Sequence, residues 1–244
     1  MNKRQNILTI THLTKHYKGS NKGITDISLE IQPGDIYAFI GHNGAGKTTT
    51  LKCIVGIHGF DSGEIFIDGK NIQKNPLECK HSFAYIPDNP DLYEYLTGIQ
   101  YLNFIADVFE VSETDREQLI AHYADAFEIT ASLGDLISTY SHGMKQKLAI
   151  ISALVHQPKL LILDEPFVGL DPKAAVILKD IMGRICEEGG AIFFSTHVLD
   201  VAEKLCNKVA IIKEGSLITS GKMDEIVKQG ESLESIFMEV AANE

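Results

Sequence analysis

The chain lacks the long apolar segments that membrane-spanning and secreted proteins carry. Its longest apolar runs, Leu148–Val155 and Leu160–Leu163, fall far short of the roughly 20 residues that a membrane helix needs. The N-terminal sequence MNKRQNILTI has no apolar core of the kind found in signal peptides. We therefore expect a protein that stays inside the cell.

Cysteine and positive charge are also scarce. The four cysteines, Cys53, Cys79, Cys186 and Cys206, form no Cys-x-x-Cys pair and have no histidine spacing that suits zinc, so we expect reduced thiols. The formal net charge is -11 and the sequence pI about 5.3, which excludes an overall basic surface for nucleic acid. The same charge disfavours an anionic bilayer. Membrane recruitment is therefore expected to need a protein partner.

The pattern of apolar residues predicts an α/β fold. At 244 residues the chain suits one large domain or two small ones. Short apolar runs bounded by Gly, Pro or Asp predict strands at Ile7–Thr11, Ile27–Ile31, Tyr37–Ile40, Ile65–Ile67, Phe83–Ile86, Leu160–Leu163, Ile192–Phe194 and Val209–Ile212. Helical periodicity is present at Lys47–Val55, His142–His156, Pro172–Cys186 and Val198–Leu205. This alternation of strands and helices indicates a mainly parallel sheet covered on both faces.

Two regions depart from that alternation. The first third is rich in strands, which suggests an antiparallel β subdomain beside the parallel core. From about Thr97 to Gln157 no strand is predicted, and the segment reads as consecutive helices inserted into the core, because strands resume at Leu160. We expect a single domain over residues 1–244, with a helical subdomain inserted at about 88–157. A short tail of one or two surface helices is expected at about 222–244.

A glycine-rich segment follows the predicted strand Tyr37–Ile40 and opens a predicted helix. It matches the pattern G-x-x-x-x-G-K-[ST], which forms a phosphate-binding loop in that setting. The glycines let successive N–H groups point inward around an anion, and the helix adds the partial positive charge of its N-terminus. The loop residues are Gly41, His42, Asn43, Gly44, Ala45, Gly46, Lys47 and Thr48.

The end of this motif predicts how a nucleoside triphosphate is held. We expect Lys47 to reach the β- and γ-phosphates and the Thr48 hydroxyl to bind Mg²⁺. Thr49 is placed to bond the α-phosphate through its side chain or amide. A glycine-rich turn with a chance Lys-Thr is the structural alternative, and the flanking strand and helix disfavour it. The motif therefore predicts ATP and Mg²⁺ as cofactors.

Two carboxylates follow the predicted strand Leu160–Leu163. Parallel sheets bind ligands at the carboxyl ends of their strands. We therefore expect Asp164 to hold Mg²⁺, directly or through water, and Glu165 to orient and deprotonate the attacking water. Strands often end in Asp or Glu for structural reasons alone, but the phosphate loop upstream favours the catalytic interpretation.

Other polar residues have ordinary structural explanations when each is taken alone. Asp171 is a natural N-cap, and Pro172 a natural first residue, of the helix that follows. Ser141 is a good N-cap for the next predicted helix upstream. A strand-end histidine such as His197 is more often a surface residue than a catalytic one, and a single tyrosine such as Tyr17 is usually core or surface filler.

The order of these features is more specific than any one of them. After the phosphate loop come Ser-x-Gly at a helix start (Ser141–Gly143), the Asp-Glu strand end, Gly-Leu-Asp-Pro (Gly169–Pro172) and Ser-Thr-His (Ser195–His197). Over about residues 7–220 this order resembles the ATP-binding-cassette (ABC) family. The resemblance implies a P-loop NTPase core with an antiparallel β subdomain and an inserted helical subdomain.

The resemblance also implies roles for residues that the loop alone does not explain. Ser141 and Gly143 belong to the family's signature motif, which caps the γ-phosphate of ATP held by a second subunit. This role is consistent with the physics of a helix start, where the first N–H groups have no partner within the helix and can bind an anion. The family further implies that Tyr17 stacks on adenine, that Asp171 lies at the dimer interface and that His197 contacts the γ-phosphate as a second catalytic residue.

Two positions depart from the family pattern. The signature reads Tyr140–Met144, Tyr-Ser-His-Gly-Met, in place of Leu-Ser-Gly-Gly-Gln, and the following Met-Lys-Gln-Lys resembles the branch that exports drugs, peptides and polysaccharides. Here His142 replaces a glycine and adds positive charge if protonated. The family's lid glutamine is expected at Asp88, which is shorter and charged, so Asp88 is kept as a candidate metal-site residue without the glutamine's role.

The leading hypothesis is the ATP-hydrolysing subunit of an exporter. Two copies, or one copy and a related subunit, would close head-to-tail on ATP and drive an integral membrane subunit on a separate chain, at the cytoplasmic face of the cell membrane. No nucleic-acid partner is expected. One alternative is a non-transport member of the family acting on a soluble partner, for example in cofactor assembly. Another is a phosphate-loop kinase or GTPase, which explains the first motif only.

Overall fold

Strands and helices alternate along most of the chain in the computed structural model, which describes residues 5–17, 19, 22–228 and 231–242. In these ranges the strands are β1 Leu8–His16, β2 Gly23–Ile31, β3 Ile36–Ile40, β4 Ser62–Ile67, β5 Lys70–Asn71, β6 Phe83–Ile86, β7 Leu160–Asp164, β8 Ala191–Thr196, β9 Lys208–Lys213 and β10 Ser216–Lys222. The α-helices are α1 Lys47–Ile54, α2 Pro76–Ser82, α3 Gly98–Val108, α4 Glu113–Ala126, α5 His142–Leu154, α6 Pro172–Glu187, α7 Leu199–Leu205, α8 Met223–Ile226 and α9 Leu233–Ala242. Two short 3₁₀ helices span Thr130–Ser132 and Ile137–Thr139.

The strands form two sheets. The larger has the order β10-β9-β3-β8-β7-β6, and all neighbours pair in parallel except β9 and β10, which are antiparallel. The smaller has the order β2-β1-β4-β5, and its pairs are antiparallel. The predicted α/β class, with a mainly parallel sheet and an N-terminal antiparallel sheet, is confirmed.

Two apolar cores lie on the two faces of the larger sheet. In β3, Ala38 and Ile40 join one core, and Tyr37 and Phe39 join the other, because successive side chains of a strand point to opposite faces. The first core packs under the helices, and the second lies against the antiparallel sheet. Burial on both faces explains why the parallel strands read as continuous apolar runs.

Consecutive helices lie between β6 and β7, as the sequence predicts. Helix α3 begins with a capping box, in which the Thr97 side chain accepts from the Gln100 N–H and the Gln100 side chain accepts from the Thr97 N–H. Ser112 caps α4 in the simpler way, accepting from the Asp115 N–H at 3.1 Å. Helices α3, α4 and α5 all contribute to the first core. Helix α5 contacts the edge strand β6, and α3 and α4 pack on α5.

The structure adds three elements that the sequence did not predict: β5, α2 and β10. Strand β10 is joined to β9 by a tight turn in which Glu214 and Gly215 both have positive φ, 48° and 82°. Its residues are partly buried or exposed, because the strand lies at the edge of the sheet, and so its apolar signal is weak.

The C-terminal tail differs from the expected surface helices. Lys222 ends β10, and the helical part starts at Met223. In α9, Leu233 and Phe237 are buried in the first core, since residues four apart share one face of a helix. The predicted tail also included residues 229–230 and 243–244, which lie outside the described part of the chain.

Among the described residues, no helix is both long enough and apolar enough to cross a membrane.

Candidate nucleotide-binding site

The glycine-rich loop connects β3 to α1 at the carboxyl edge of the larger sheet. A Cβ at Gly41 would lie 2.6 Å from the carbonyl oxygen of Ile212, so only glycine lets the loop start this close to β9. Gly46 caps α1 with φ 111°, a conformation that favours glycine. The loop is also tied to the β9–β10 turn, because the Gly215 N–H donates to the Ala45 carbonyl at 2.9 Å.

Lys47 lies inside the loop rather than in solvent. Its side chain is 7% exposed, and its Nζ donates to the Gly41 carbonyl at 2.7 Å and to the His42 carbonyl at 3.5 Å. The same Nζ is 3.5 Å from Glu165 Oε1. A buried cation needs hydrogen bonds and an opposite charge, and these three groups provide both at the mouth of the loop.

Thr48 and Asp164 are joined across the sheet edge. The Thr48 hydroxyl donates to Asp164 Oδ2 at 2.7 Å, and the Ser195 hydroxyl donates to Asp164 Oδ1. Asp164 and Ser195 are neighbours in the register of β7 and β8, and both are buried. The two hydrogen bonds fix the Asp164 carboxylate next to Thr48, the last residue of the loop.

This oxygen donor set fits Mg²⁺. The ion prefers hydroxyl and carboxylate oxygens, and proteins usually hold it with one or two carboxylates together with phosphate oxygens and water. Within the described ranges no group of three His, Cys, Asp or Glu side chains is placed to hold a metal alone. The donors Thr48 and Asp164 therefore suit a cation that arrives with a nucleotide.

Glu165 is held in an unusual backbone conformation. Its φ is 50°, which is uncommon for a residue other than glycine, and its N–H lies 3.2 Å from both the carbonyl and the hydroxyl oxygen of Ser195. Its carboxylate lies between two cationic or polar partners, with Oε1 near Lys47 and Oε2 2.9 Å from His197 Nδ1. The chain turn after β7 thus aims this carboxylate at the loop.

A cavity of about 440 Å³ opens beside these groups, large enough for part of a small ligand. Its lining includes His42, Asn43, Gly44, Gly46, Lys47, Thr48, Thr49, Asp164 and Glu165. At its outer edge Tyr17 is 37% exposed, and its hydroxyl is 3.4 Å from the Thr49 hydroxyl. An exposed aromatic ring at the rim of a phosphate loop is suited to stack on a base.

Asp88 lines the same cavity and is the second residue after β6. Its Oδ1 accepts from the Asn89 N–H at 2.9 Å, and the residue is exposed. Behind it, the hydroxyl of Tyr85 is buried without a hydrogen-bond partner among the described residues. Burial, with further contributions from Asp164 and Asp88, raises the pKa of Tyr85. The structure thus places Asp88 at the joint with the helical insertion.

Ser141 and Gly143 lie away from this cavity. Ser141 caps α5 and accepts from the Met144 N–H at 3.3 Å. Gly143 lies against Gly169, since a Cβ there would be 3.1 Å from the Gly169 carbonyl oxygen. Of the residues that the structure describes, those lining the cavity include neither Ser141 nor Gly143.

Asp171 is connected to the same helix. It caps α6 by accepting from the Ala174 N–H at 2.8 Å, and its other oxygen is 2.7 Å from Lys147 Nζ. The bond to Lys147, followed by the one to Ala174, lowers the pKa of this carboxyl group. The segment that precedes α6 is therefore tied to α5 through charge.

Two residues of the site were not predicted from the sequence. Ser195 was noted only as part of Ser-Thr-His, although it holds both Asp164 and the Glu165 backbone. A buried polar residue at the end of an apolar strand was the available signal. Phe237, whose ring centroid lies 4.7 Å from that of His42, had no sequence signal, because the two residues belong to opposite ends of the chain.

Together, the loop between β3 and α1, the Thr48–Asp164 contact and the sheet order define a P-loop nucleotide-binding protein. The sequence profile described as "ABC transporter" matches residues 24–168, which is more than half of the chain. The chain belongs to the ABC transporter family, among its ATP-binding subunits.

Individual relatives agree with this assignment. The chain is 34% identical to the ABC-type transporter ATP-binding protein EcsA of Bacillus subtilis (strain 168), covering 91% of this chain and 90% of that protein. It is 36% identical to the bacitracin transport ATP-binding protein BcrA of Bacillus licheniformis, covering 91% and 72%. A solved structure described as an ATP binding subunit of an ABC transporter has a TM-score of 0.92 at 34% identity, covering 96% of this chain and 99% of that one.

Proposed function

We propose that this chain binds and hydrolyses ATP in order to power transport by a separate integral membrane subunit. The observation that carries the proposal is the junction of Lys47, Thr48 and Asp164 with the Glu165–His197 pair at one sheet edge. Phosphoryl transfer to water needs groups that bind the phosphates, groups that bind the metal cation and a group that activates the water. Here all three kinds of group lie around one cavity.

Each residue then has a chemical task. The loop N–H groups and Lys47 bind the phosphates, while Thr48 and Asp164 are the residues that would hold Mg²⁺, whose charge would offset that of the phosphates. Glu165 orients the attacking water and accepts its proton. His197, 2.9 Å from the Glu165 carboxylate, fixes that side chain, and in this proposal it also contacts the γ-phosphate, as the family resemblance implies. Tyr17 stacks on adenine, and Thr49 bonds the α-phosphate.

The working site is shared between two ATPase subunits. The N–H groups at the start of α5 form an anion site in this proposal. Because the start of α5 is not among the described residues that line this chain's own cavity, these groups suit the γ-phosphate of ATP held by a second copy or a related subunit. Asp171, tied to α5 by Lys147, lies beside that surface and contributes to the interface. Hydrolysis would then separate the two subunits and drive the membrane partner between two states.

Export is the direction we propose, with the chain at the cytoplasmic face of the cell membrane. The similarity to BcrA, named as a bacitracin transport protein, supports it together with the Met-Lys-Gln-Lys sequence after the signature. The membrane partner is a separate chain in this proposal. Co-purification in mild detergent would support it by retaining an integral membrane protein; a purely soluble partner set would favour the cofactor-assembly alternative.

The shared site is tested with Glu165→Gln. This change removes the group that activates water but keeps a side chain of similar size, so ATP binding is expected to survive while turnover falls by at least about a hundredfold. With Mg-ATP the variant is expected to form a stable dimer on size exclusion. Glu188→Gln, a change at an exposed glutamate after α6, serves as the control and should keep wild-type turnover. A Glu165→Gln protein that stays monomeric at saturating ATP contradicts the shared-site proposal.

A further inference from the structure

Helix α9 is anchored to the rest of the molecule by several contacts. Leu233 is fully buried in the first core, and its N–H donates to Glu203 Oε2 of α7 at 2.8 Å. Ile236 packs partly buried against the same core, and the Ser232 hydroxyl accepts from the Ser235 N–H at 3.1 Å. The tail helix is therefore a packed element of the fold, and its side chains have defined positions.

One side chain of this helix reaches the phosphate loop. The Phe237 ring is 9% exposed, and its centroid is 4.7 Å from that of the His42 ring, with an angle of 56° between the ring planes. This distance is within the range in which aromatic rings attract each other. The only aromatic side chain of the loop is exposed, and its ring contacts the tail helix through Phe237.

His42 is a sensitive point of the loop. Its carbonyl oxygen accepts from the Ala45 N–H at 3.1 Å and from Lys47 Nζ at 3.5 Å. The neighbouring Gly41 carbonyl accepts from the same ammonium group at 2.7 Å. A restraint on the His42 ring therefore limits the orientation of the peptide that helps to place Lys47.

The tail helix also contacts the element that follows His197 in the chain. Helix α7, to which Leu233 bonds, begins at Leu199, two residues after His197. The same helix α9 therefore packs on the loop that would hold the phosphates and on the element that follows the Glu165–His197 pair. One small helix thus connects the phosphate loop with the helix that follows His197.

From these contacts we infer that Phe237 is a positioning residue for nucleotide binding, acting through the ring of His42. With the ring contact present, the loop is held in the conformation that receives phosphate before the nucleotide arrives. Without it, the loop has more conformations to lose on binding, so the affinity falls. The inference deepens the proposed function, since it rests on ATP binding at this loop.

The test measures equilibrium binding of a non-hydrolysable ATP analogue with Mg²⁺ to the full chain. Phe237→Leu keeps an apolar side chain in the core but removes the ring, and Phe237→Tyr keeps the ring. Because an aromatic pair is worth about two- to tenfold in an equilibrium constant, we expect Phe237→Leu to weaken binding of the analogue by about that factor. Phe237→Tyr, which keeps the ring, should bind with wild-type affinity. The neighbouring Met238, 60% exposed on the same helix, gives the matched control Met238→Leu, which should bind like wild type.

Two further readouts separate positioning from a general loss of stability. In steady-state hydrolysis, Phe237→Leu should raise the KM for ATP by the same factor and leave kcat within about twofold. A double-mutant cycle with His42→Ala should show coupling, with Phe237→Leu having little further effect once the His42 ring is gone. Thermal unfolding checks that each variant is folded. If Phe237→Leu is not folded, it is replaced by Phe237→Met, whose unbranched side chain is also apolar and also lacks a ring.

The possible outcomes are distinct. Wild-type protein that fails to bind the analogue would overturn the proposed function and this inference with it. Normal wild-type binding with unchanged affinity in Phe237→Leu, or equal losses in the presence and absence of the His42 ring, would overturn the inference alone. A ring-dependent, His42-coupled loss of affinity with kcat retained supports it.

Discussion

Single side chains in this molecule hold their position or charge state through partners that are distant in sequence. Asp164 is fixed by hydroxyl groups 116 residues before it, at Thr48, and 31 residues after it, at Ser195. His156 is a second example, outside the candidate site. Its ring stacks on Phe109 with centroids 3.7 Å apart, and its Nε2–H donates to the Phe83 carbonyl at 3.3 Å.

His156 makes the stability of the fold depend on pH. Burial, the largest cause, lowers its pKa from the ordinary 6.5 to about 4, and its Nδ1 is buried without a partner among the described residues. Since unfolding restores the ordinary pKa, the unfolded chain binds more protons than the folded one between about pH 6.5 and 4. This contribution to stability is present above pH 6.5 and is lost as the pH falls towards 4, by about 3 kcal/mol in total.

The measurement is the free energy of urea unfolding at several pH values across that window. In His156→Gln the decrease of stability on acidification should be smaller than in wild type by roughly this amount. His122→Gln, a change at an exposed histidine of α4, is the control and should keep the wild-type slope. Parallel pH profiles for His156→Gln and wild type would show that His156 is not the group responsible.

At the scale of elements, helices with equivalent N-caps lie in different surroundings. Ser141 and Ser112 both accept from the N–H three residues later, at 3.3 Å and 3.1 Å. Both helices belong to the helical insertion, but the start of α5 lies against Gly169 and is tied to Asp171 by Lys147. The local structure of the cap is thus the same, and under the proposed function only the cap at Ser141 contacts a nucleotide.

This pair gives a matched test of the signature segment. Ser141→Ala and Ser112→Ala should each cost about 1 kcal/mol of stability through the lost cap. Only Ser141→Ala should also lose most ATP turnover, while the monomer keeps its affinity for ATP, because in the proposed shared site this serine contacts the nucleotide of the second subunit. Nucleotide titration of the monomer and steady-state hydrolysis measure both quantities. Loss of monomer binding in Ser141→Ala would instead place the serine in its own subunit's site.

At the scale of the whole molecule, the candidate site joins both cores. The loop packs on Ile212 of the second core, while α9 belongs to the first and contacts His42. A ligand at this edge therefore contacts elements that are packed on both faces of the larger sheet. Any ligand that binds only the folded chain stabilises the whole molecule by mass action.

Mg-ATP should accordingly raise the temperature of unfolding. At a hundred times the dissociation constant the stabilisation is about 2.7 kcal/mol, which corresponds to roughly 5–10 °C for a chain of this size. Lys47→Ala should remove most of the shift, because its ammonium is the buried cation of the loop. Lys74→Ala, at an exposed lysine, should retain it. An equal shift in both variants would mean that ATP stabilises the protein from another site.

Much of the fold was predictable from contiguous residues. The apolar runs gave the parallel strands, because strands buried on both faces need apolar side chains at every position. Strands β5 and β10 were missed, since edge pairing depends on backbone groups of a neighbour and leaves little apolar pattern. The tail was predicted as helical, but the burial of Leu233 depends on α7 and the sheet, which local sequence does not describe.

The phosphate loop follows from the sequence by itself, because glycine conformation, a helix start and a lysine are properties of one short segment. The rest of the site was decided by the tertiary structure. The pairing of β7 with β8 places Ser195 next to Asp164, and the sheet order brings Thr48 to the same carboxylate. The packing of α9 on α7 brings the ring of Phe237 into contact with that of His42. Such contacts join residues far apart along the chain, and only packing of the complete sheet and its helices brings them together.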